Sequence, residues 1–534
     1  MIQFMETSDS KESLSKGAVD FLTGTFMSRL TGMIRDLLMA YCFGVSAAVG
    51  SFLIAFRLSN LLRRLFGEGA LLNGFIPFFE AKRRKQERGG AIFFRDLFWS
   101  LFCILLSIVL ILETFLILIY QFSGLSLEVK QILFMLMIQL PGVIFICLFG
   151  LSMALLQCEK NFFIPGVAPV AFNIIWIIAI LVLRNYPQNV AMNGLSIAVV
   201  AAFFLQWAAT VAPIKKYCLS LISKKECFCP NLFQNDLRLM VSPVIFGIIG
   251  VAASQINSAM DILMVRFISP SGPALLSYAN RVQQLPIALF AIAIASSLLP
   301  ALSRAIKKDF FDDYINLLQH GLLRTFALLF PGMIGIFVLG LCSINLLYGR
   351  GQFTNDAILN TTTCLWSYGL GLIPSAFILL LAPAYYARRD YRTPMIGAIL
   401  SMVINVSLNS VMIFALGFPV FTVAISTSIT SFVNLFFLSK RLLVNIFPKM
   451  LPSFKRITLS ALSSGILTAI CAFFLFKDPS IYLLMGGENF DLARDFASQI
   501  IQFSTLTFIY GALFFLFAYL YKAKDALALL GGIL

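Results

Sequence analysis

Residues 19–43 read VDFLTGTFMSRLTGMIRDLLMAYCF, and residues 46–66 read SAAVGSFLIAFRLSNLLRRLF. Each stretch is apolar and near the ~20 residues a helix needs to cross a bilayer. Together they hold five arginines: Arg29, Arg35, Arg57, Arg63 and Arg64. An arginine at the bilayer centre costs on the order of 2.5–3.5 kcal/mol even on the lenient insertion scale. Two helices that keep five of them must turn them toward a wet cavity or an anion. The pair sets two expectations together, a polytopic membrane fold and a negatively charged ligand.

The rest of the chain extends the first expectation. Its 534 residues are 59% hydrophobic and only 12% charged, whereas a soluble domain carries about 25% charged residues. Apolar segments recur from Val19 to Tyr521, and polar breaks divide them into fourteen helices. The expected spans are 18–42, 46–79, 96–120, 131–156, 163–183, 193–213, 238–265, 275–303, 321–347, 358–386, 394–416, 419–439, 457–476 and 499–521. No stretch between them is long enough for a soluble domain. The start of the chain, through Lys16, is polar and mixed in charge and lacks the features of a signal peptide, so the first helix is expected to be retained.

Lysine and arginine placement tests this topology. With the first residues cytoplasmic, 28 of the 40 Lys and Arg fall in inside segments, six in outside loops and six within helices. That bias predicts an even number of spans with both termini in the cytoplasm. It also accounts for the net charge of +15 without nucleic acid. The sixth intrahelical cation is Arg281. Ten scattered cysteines without a C-x-x-C pair argue against a disulfide framework or a transition-metal site. The single histidine, His320, leaves little material for histidine-based catalysis. No G-x-x-x-x-G-K-[ST] loop is present, so the chain carries no ATP-driven motor of its own.

A faint internal repeat runs through the helices. Pro141, the turn Glu159-Lys160-Asn161, Pro165 and Asn173 are echoed by Pro374, the turn Arg388-Arg389-Asp390, Pro394 and Asn405. Asn60 and Pro77 are echoed by Asn280 and Pro300. Two six-helix halves in the same orientation follow, as transporters use. The expected domains are 1–213, a cytoplasmic loop 214–237, 238–445, and a C-terminal pair of helices in 446–534.

Three constellations stand out. In the first helix Arg29 and Asp36 share a face and Arg35 lies on its shoulder; the alternative to a ligand site is an Arg–Asp pair locking this helix to another. In the second, Arg57, Asn60, Arg64 and Glu68 form one stripe at three- and four-residue steps. Arg63 points aside, and snorkelling of Arg63 and Arg64 to the inner headgroups is the alternative. A helix over 46–79 would be ~50 Å long against a ~30 Å hydrocarbon core, so it must bend or protrude, with Gly67, Gly69 and Gly74 as bend points. Third, Asp261, Asn405, Asn409 and Thr427 are polar groups within apolar runs. Their oxygens suit Na⁺, or a proton on Asp261; interhelical polar glue is the alternative.

The motifs then resemble a known family. Ser28-Arg29, Gly32, Arg35-Asp36, Phe43-Gly44, Ala55-Phe56-Arg57, the block Asn60 to Phe66, Glu68-Gly69-Ala70 and Phe75-Ile76-Pro77 are similar to those of the MurJ (MviN) lipid II flippases. Tyr278-Ala279-Asn280-Arg281, Leu299 to Ser303, Gly351-Gln352-Phe353-Thr354 and Asp390 to Pro394 continue the likeness. The resemblance implies the multidrug/oligosaccharidyl-lipid/polysaccharide (MOP) exporter fold, with two six-helix lobes around a cationic cavity. Its two C-terminal helices would form a groove for a lipid tail. It implies pyrophosphate ligands at Arg29, Arg35, Arg63 and Arg281, supported by Asp36, Asn60, Arg64, Glu68 and Asn280. It also implies a sodium site, found in some members, at Asp261, Asn405, Asn409 and Thr427. Two departures are plain: many members have an aspartate where this chain has Gly50, and Asp-Arg where it has Asn280-Arg281. Asn409 also replaces an acid of a sodium-binding member.

The expected function is translocation of lipid II, the undecaprenyl-pyrophosphate-linked peptidoglycan precursor, from the inner to the outer leaflet of the bacterial cytoplasmic membrane. The expected mechanism is alternating access driven by membrane potential or a Na⁺ or H⁺ gradient. No covalent chemistry and no cofactor are expected; the partners would be lipid II, membrane lipids and cell-wall synthesis proteins. The rival transporter exports another polyprenyl-linked glycan. The rival of a different class is a membrane-embedded glycosyltransferase, for which Asp36 and Glu68 are the only acids near the arginines.

Overall fold

The computed structural model describes residues 11–66, 70–122, 124–217, 219–231, 252–253, 255–307, 311–443, 446–476, 492 and 495–531, which form helices and short connections with no strand among them. Glu68 of the expected support set lies outside the described residues, as does most of the expected seventh span up to residue 251.

Two compact units divide the chain, residues Met1–Ala259 and Met260–Leu534. The first contains α1 (Lys11–Phe43), α2 (Ala47–Phe66), α3 (Ala70–Lys85), α4 (Glu87–Phe122), α5 (Leu127–Gln139), α6 (Gly142–Cys158), α7 (Phe163–Leu183), α8 (Gln188–Tyr217) and the short α9 (Lys224–Cys227). A helix over residues 255–266, α10, crosses from the first unit to the second. The second unit continues with α11 (Gly272–Pro286), α12 (Ile292–Lys307), α13 (Phe311–Tyr348), α14 (Asn355–Leu370), α15 (Leu372–Ala387) and α16 (Arg392–Ser410). It ends with α17 (Phe421–Leu442), α18 (Phe447–Phe476), α19 (Phe496–Leu520) and α20 (Lys524–Gly531).

Among the described residues nine helices are long and apolar enough to span a bilayer, or up to eleven spans if each bent pair is one span. The count of fourteen is not reached on apolarity. The arginine-bearing α1 and α2 are not among these spans; α2 puts Arg57, Arg63 and Arg64 into its 20 residues. Of the expected helix over 46–79, the described parts are α2 (Ala47–Phe66) and α3 from Ala70 onward, and residues 67–69, with the expected bend points Gly67 and Gly69, lie outside the described residues.

The repeat is visible in the backbone of each unit. In the first, α5 and α6 are bent by 43° at Leu140-Pro141; in the second, α14 and α15 are bent by 44° at Gly371. Proline lacks the N–H that would continue the first helix pair. Gly371 permits a close approach in the second: a Cβ there would sit 2.7 Å from Ser428 Oγ and 3.0 Å from its Cα. Each bent pair is followed by a left-handed residue, Lys160 (φ 57°) or Arg389 (φ 59°). A proline, Pro165 or Pro394, stands five residues after each, near the start of α7 or α16.

Lipid tails are as apolar as leucine, so helix association in a bilayer rests on close packing and interhelical hydrogen bonds rather than hydrophobic burial. The α1–α7 seam illustrates this. A Cβ on Gly24 would lie 2.8 Å from the backbone carbon of Gly166. In the second unit α18 and α19 pack against α13, and the Tyr510 hydroxyl donates to the Pro331 carbonyl across 2.7 Å. Residues 219–231 are pinned to the start of α4. Arg95 Nη1 donates to the Glu226 carbonyl (2.9 Å), Trp99 Nε1 to the Cys227 carbonyl (2.9 Å), and the Asn231 N–H to Asp96 (3.0 Å).

Candidate functional site

The arginines of the first unit fall into distinct environments. Arg35 is 7% exposed. Its Nε and Nη2 donate to Asp36 Oδ1 (3.0 and 2.7 Å), and its Nη1 donates to Asn173 Oδ1 on α7 (3.1 Å). Asn173 Nδ2 in turn donates to the Ser28 carbonyl (3.0 Å) and to Thr31 Oγ1 (2.9 Å). The guanidinium carbon lies 4.6 Å from the Trp176 ring centroid and 5.8 Å from that of Phe172. Phe52 and Phe56 of α2 close the aromatic group, with ring centroids 5.4 and 4.9 Å from Trp176. Arg35 is therefore ion-paired, hydrogen-bonded and stacked within the α1–α7 seam, the locking arrangement named above as the alternative for this helix.

Arg29, one and a half turns earlier on α1, is exposed, and no carboxylate meets it among the described residues. On α2, Arg63 Nε donates to the neutral Asn60 Oδ1 (2.8 Å), while Asn60 Nδ2 donates back to the Phe56 carbonyl (2.8 Å). Arg64 Nη1 donates to Gln255 Oε1 on α10 (2.8 Å); the expected Glu68 partner is outside the described residues. Arg57, Arg63 and Arg64 are all half-buried. The stretch from residue 23 to residue 66 holds five arginines and one carboxylate, Asp36, which Arg35 engages.

In the second unit Arg281 is exposed on α11. Two neighbours on the helix anchor it: Tyr278 is buried against Tyr348 and Phe353, and Gln283 Nε2 donates to the Tyr368 carbonyl of α14 (3.2 Å). Asn280 Oδ1 accepts from Gln284 Nε2 (3.1 Å).

The third constellation is assembled around one carboxylate. Asn405 Nδ2 and Asn409 Nδ2 on α16 donate to Asp261 Oδ1 (2.7 and 3.0 Å). Thr427 Oγ1 on α17 donates to Asp261 Oδ2 (3.0 Å). Asp261 is 6% exposed and both asparagines are almost wholly buried. The four expected residues therefore meet, although they are drawn from three helices. Asn409 Oδ1 is buried and finds no hydrogen-bond partner among the described residues. A carboxylate, two amide oxygens and a hydroxyl, with one amide oxygen unused, form an all-oxygen set that fits a hard cation. No group of three or more His, Cys, Asp or Glu suited to a metal occurs among the described residues.

Three residues missed at the sequence level shape these sites. Asn173 appeared only as a repeat marker, and Trp176 and Gln255 not at all. An aromatic in an apolar helix has no distinguishing pattern, and a glutamine 191 residues from Arg64 has no spacing rule to find it. At the end of α4's pinned segment, Glu226 accepts from the Ser223 N–H and pairs with Arg88. The bonds to Ser223 hold its carboxyl below the usual glutamate value, with Arg88 adding to the effect.

A sequence model of the family described as "Lipid II flippase MurJ" matches residues 39–486. A "Probable lipid II flippase MurJ" of Chlamydia pneumoniae is 30% identical over 533 residues, covering 98% of this chain and 96% of the relative. Its counterpart in Chlamydia muridarum is 34% identical over 402 residues, 75% of this chain and 73% of the relative. Among solved structures, "Lipid II flippase MurJ, inward closed conformation" superposes with a TM-score of 0.73 at 25% identity, covering 93% of this chain and 98% of that one. An inward-facing multidrug resistance MATE transporter of the MOP superfamily gives 0.65 at 14% identity, covering 81% of this chain and 99% of that one, a likeness of fold alone.

Proposed function

This chain belongs to the lipid II flippase MurJ family, and from that premise we propose how its own residues handle the substrate. It is a multi-pass, all-α membrane protein of the MOP-exporter fold that acts as a lipid II flippase. The observation that carries the site assignment is the charge imbalance of α1 and α2, five guanidinium groups against the single carboxylate Asp36 over residues 23–66. Lipid II presents a pyrophosphate, and charge-assisted hydrogen bonds from arginine are the matching chemistry. In this reading Arg29 and Arg63 bind the pyrophosphate, and Arg281, in the second unit, offers the substrate a further cation. Asn60 orients Arg63, and Arg35 is held back by Asp36, Asn173 and Trp176. The sugar–peptide headgroup crosses in a wet cavity while the polyprenyl tail stays in lipid.

Transport proceeds from the inner to the outer leaflet by alternating access, with both termini cytoplasmic as the lysine and arginine bias requires. Moving one charge through 100 mV is worth ~2.3 kcal/mol, so membrane potential can bias the cycle. Asp261, Asn405, Asn409 and Thr427 would hold a coupling cation, Na⁺ or a proton, on their oxygens. The protein makes and breaks no covalent bond of its substrate.

The test is reconstitution into vesicles with labelled lipid II and an outside reagent that reads leaflet exposure. Losing one charge-assisted bond of about 1.5–3 kcal/mol predicts at least a tenfold fall in flipping rate for Arg63→Ala and for Arg29→Ala. Unaltered rates in both variants, or a covalently changed lipid product, would refute the assignment.

A further inference from the structure

Where α8 ends, the chain turns back and encloses a cavity. Lys215 and Lys216 stand in the last turn of α8, a spanning helix. The Ser220 hydroxyl donates to the Lys216 carbonyl (2.9 Å), and residues 219–231 are held against the start of α4 by the Arg95, Trp99 and Asn231 bonds. Between the end of α8 and this segment lies a cavity of about 530 Å³. Ala212, Ile222 and Phe228 give it an apolar side, and Lys215, Lys216 and Ser220 a polar one. Residues 212–231 hold four lysines against one acid, Glu226. Glu226 accepts from the Ser223 N–H and pairs with Arg88, while Asp96 on α4 accepts from Arg95 and the Asn231 N–H. Neither acid lines the cavity. Lys215 is exposed, and no carboxylate meets it among the described residues. On the apolar side Phe228 is 72% exposed, with its ring 6.0 Å from that of Trp99.

We propose that this cavity seats one anionic phospholipid of the adjoining leaflet, with its phosphate against Lys215 and Lys216 and the start of an acyl chain against Ala212, Ile222 and Phe228. Tryptophan and basic residues at the ends of spanning helices mark the headgroup level of a bilayer. Trp99 stands one turn into the expected span 96–120, and Lys215 in the last turn of α8, so the cavity lies at that level. There the exposed Phe228 ring meets acyl chains rather than water. An ammonium is a point charge that binds phosphate without a fixed geometry. Its stem covers apolar surface while its head stays among the phosphates. A free phosphate would engage the lysines and leave the three apolar side chains wet; a phospholipid satisfies both sides. The cytoplasmic identity of the leaflet rests on the orientation proposed above, whereas the site itself does not.

The experiment reads Cys227, which lines the same cavity, against the exposed Cys229 two residues on. The purified full chain is placed in nanodiscs of dioleoyl-phosphatidylcholine with a rising fraction of dioleoyl-phosphatidylglycerol. N-ethylmaleimide is added, and the alkylation rate of each cysteine is read by mass spectrometry. A seated lipid shields Cys227, while Cys229 reports the general effect of surface charge, so the ratio of the Cys227 rate to the Cys229 rate should fall as phosphatidylglycerol rises. A lysine near an anionic surface is worth ~1 kcal/mol, or about fivefold in affinity. Lys215→Gln should therefore need about five times more phosphatidylglycerol for half the fall. Lys225→Gln, exposed on the same segment but outside the cavity, should behave as the wild type. A ratio indifferent to phosphatidylglycerol would overturn the proposal. So would an equal shift in Lys215→Gln and Lys225→Gln, the mark of diffuse surface charge. The same fall produced by inorganic phosphate in pure phosphatidylcholine discs would overturn it as well, by showing a free-anion site. Both faces of a nanodisc are open to the reagent, so a reversed orientation would leave these rates unchanged. Orientation is read separately, by labelling Cys229 in intact cells with a membrane-impermeant maleimide.

Discussion

Asn173→Leu tests the α1–α7 seam, because a single amide serves three bonds there. Its Oδ1 accepts from Arg35 Nη1, and its Nδ2 donates to the Ser28 carbonyl and Thr31 Oγ1, across 2.9–3.1 Å. Leucine has the same four-heavy-atom side chain branched at Cγ, so the substitution removes bonds without opening a cavity. The charge-assisted bond is worth about 1.5–3 kcal/mol. Each neutral interhelical bond in a membrane protein averages about 0.6 kcal/mol. Their sum is about 3–4 kcal/mol, which for a unit of this size corresponds to a loss of about 6–16 °C in melting temperature. Gly32 sharpens the expectation, since a Cβ there would already touch Asn173 Nδ2 at 3.5 Å; the seam has little room to adjust. The assay is thermal unfolding in nanodiscs followed by tryptophan fluorescence, with circular dichroism as the control for helix content. A shift under 2 °C with normal helix content would refute the reasoning that this amide locks α1 to α7.

Other expectations follow from particular contacts. Asp261→Ala strands the Asn405 and Asn409 amides and Thr427 together and should cost about 2–4 kcal/mol, whereas Thr427→Val removes one bond and should cost about 1 kcal/mol; equal losses by thermal unfolding would contradict the central place given to Asp261. Gly371→Val drives a side chain into Ser428 at the bend of α14 and α15 and should destabilise by about 1–3 kcal/mol, read by the same method. Glu226 has a depressed pKa, so its bonds contribute above the usual glutamate value and are lost as the pH falls through the depressed one. Limited proteolysis of residues 219–231 should therefore accelerate only in that acid window, and Glu226→Gln should give the fast rate already at neutral pH.

Much of this architecture was legible because membranes constrain sequence strongly. The apolar periodicity gave most spans, and the Pro165 and Pro394 turns marked a repeat that the equal bends of α5–α6 and α14–α15 make plain. Asp261, Asn405, Asn409 and Thr427 were found as polar groups in apolar runs, and they meet around one carboxylate. What remained unreadable was how each arginine is partnered. Arg35 and Arg63 look alike in sequence, yet one donates to Asn173, 138 residues distant along the chain, and the other to Asn60 one turn away. A count of carboxylates cannot distinguish them, because Trp176 and Asn173 neutralise nothing and still decide where Arg35 points.

The central claim is that this chain moves lipid II outward through cations that include Arg63. The direct measurement is leaflet-resolved accessibility of lipid II in cells depleted of the protein and complemented with wild type or with Arg63→Ala. The account predicts that outer-leaflet lipid II disappears on depletion, returns with wild type, and does not return with an Arg63→Ala protein that is present in the membrane at normal level. Undiminished outward display without the protein, or full rescue by Arg63→Ala, would contradict it.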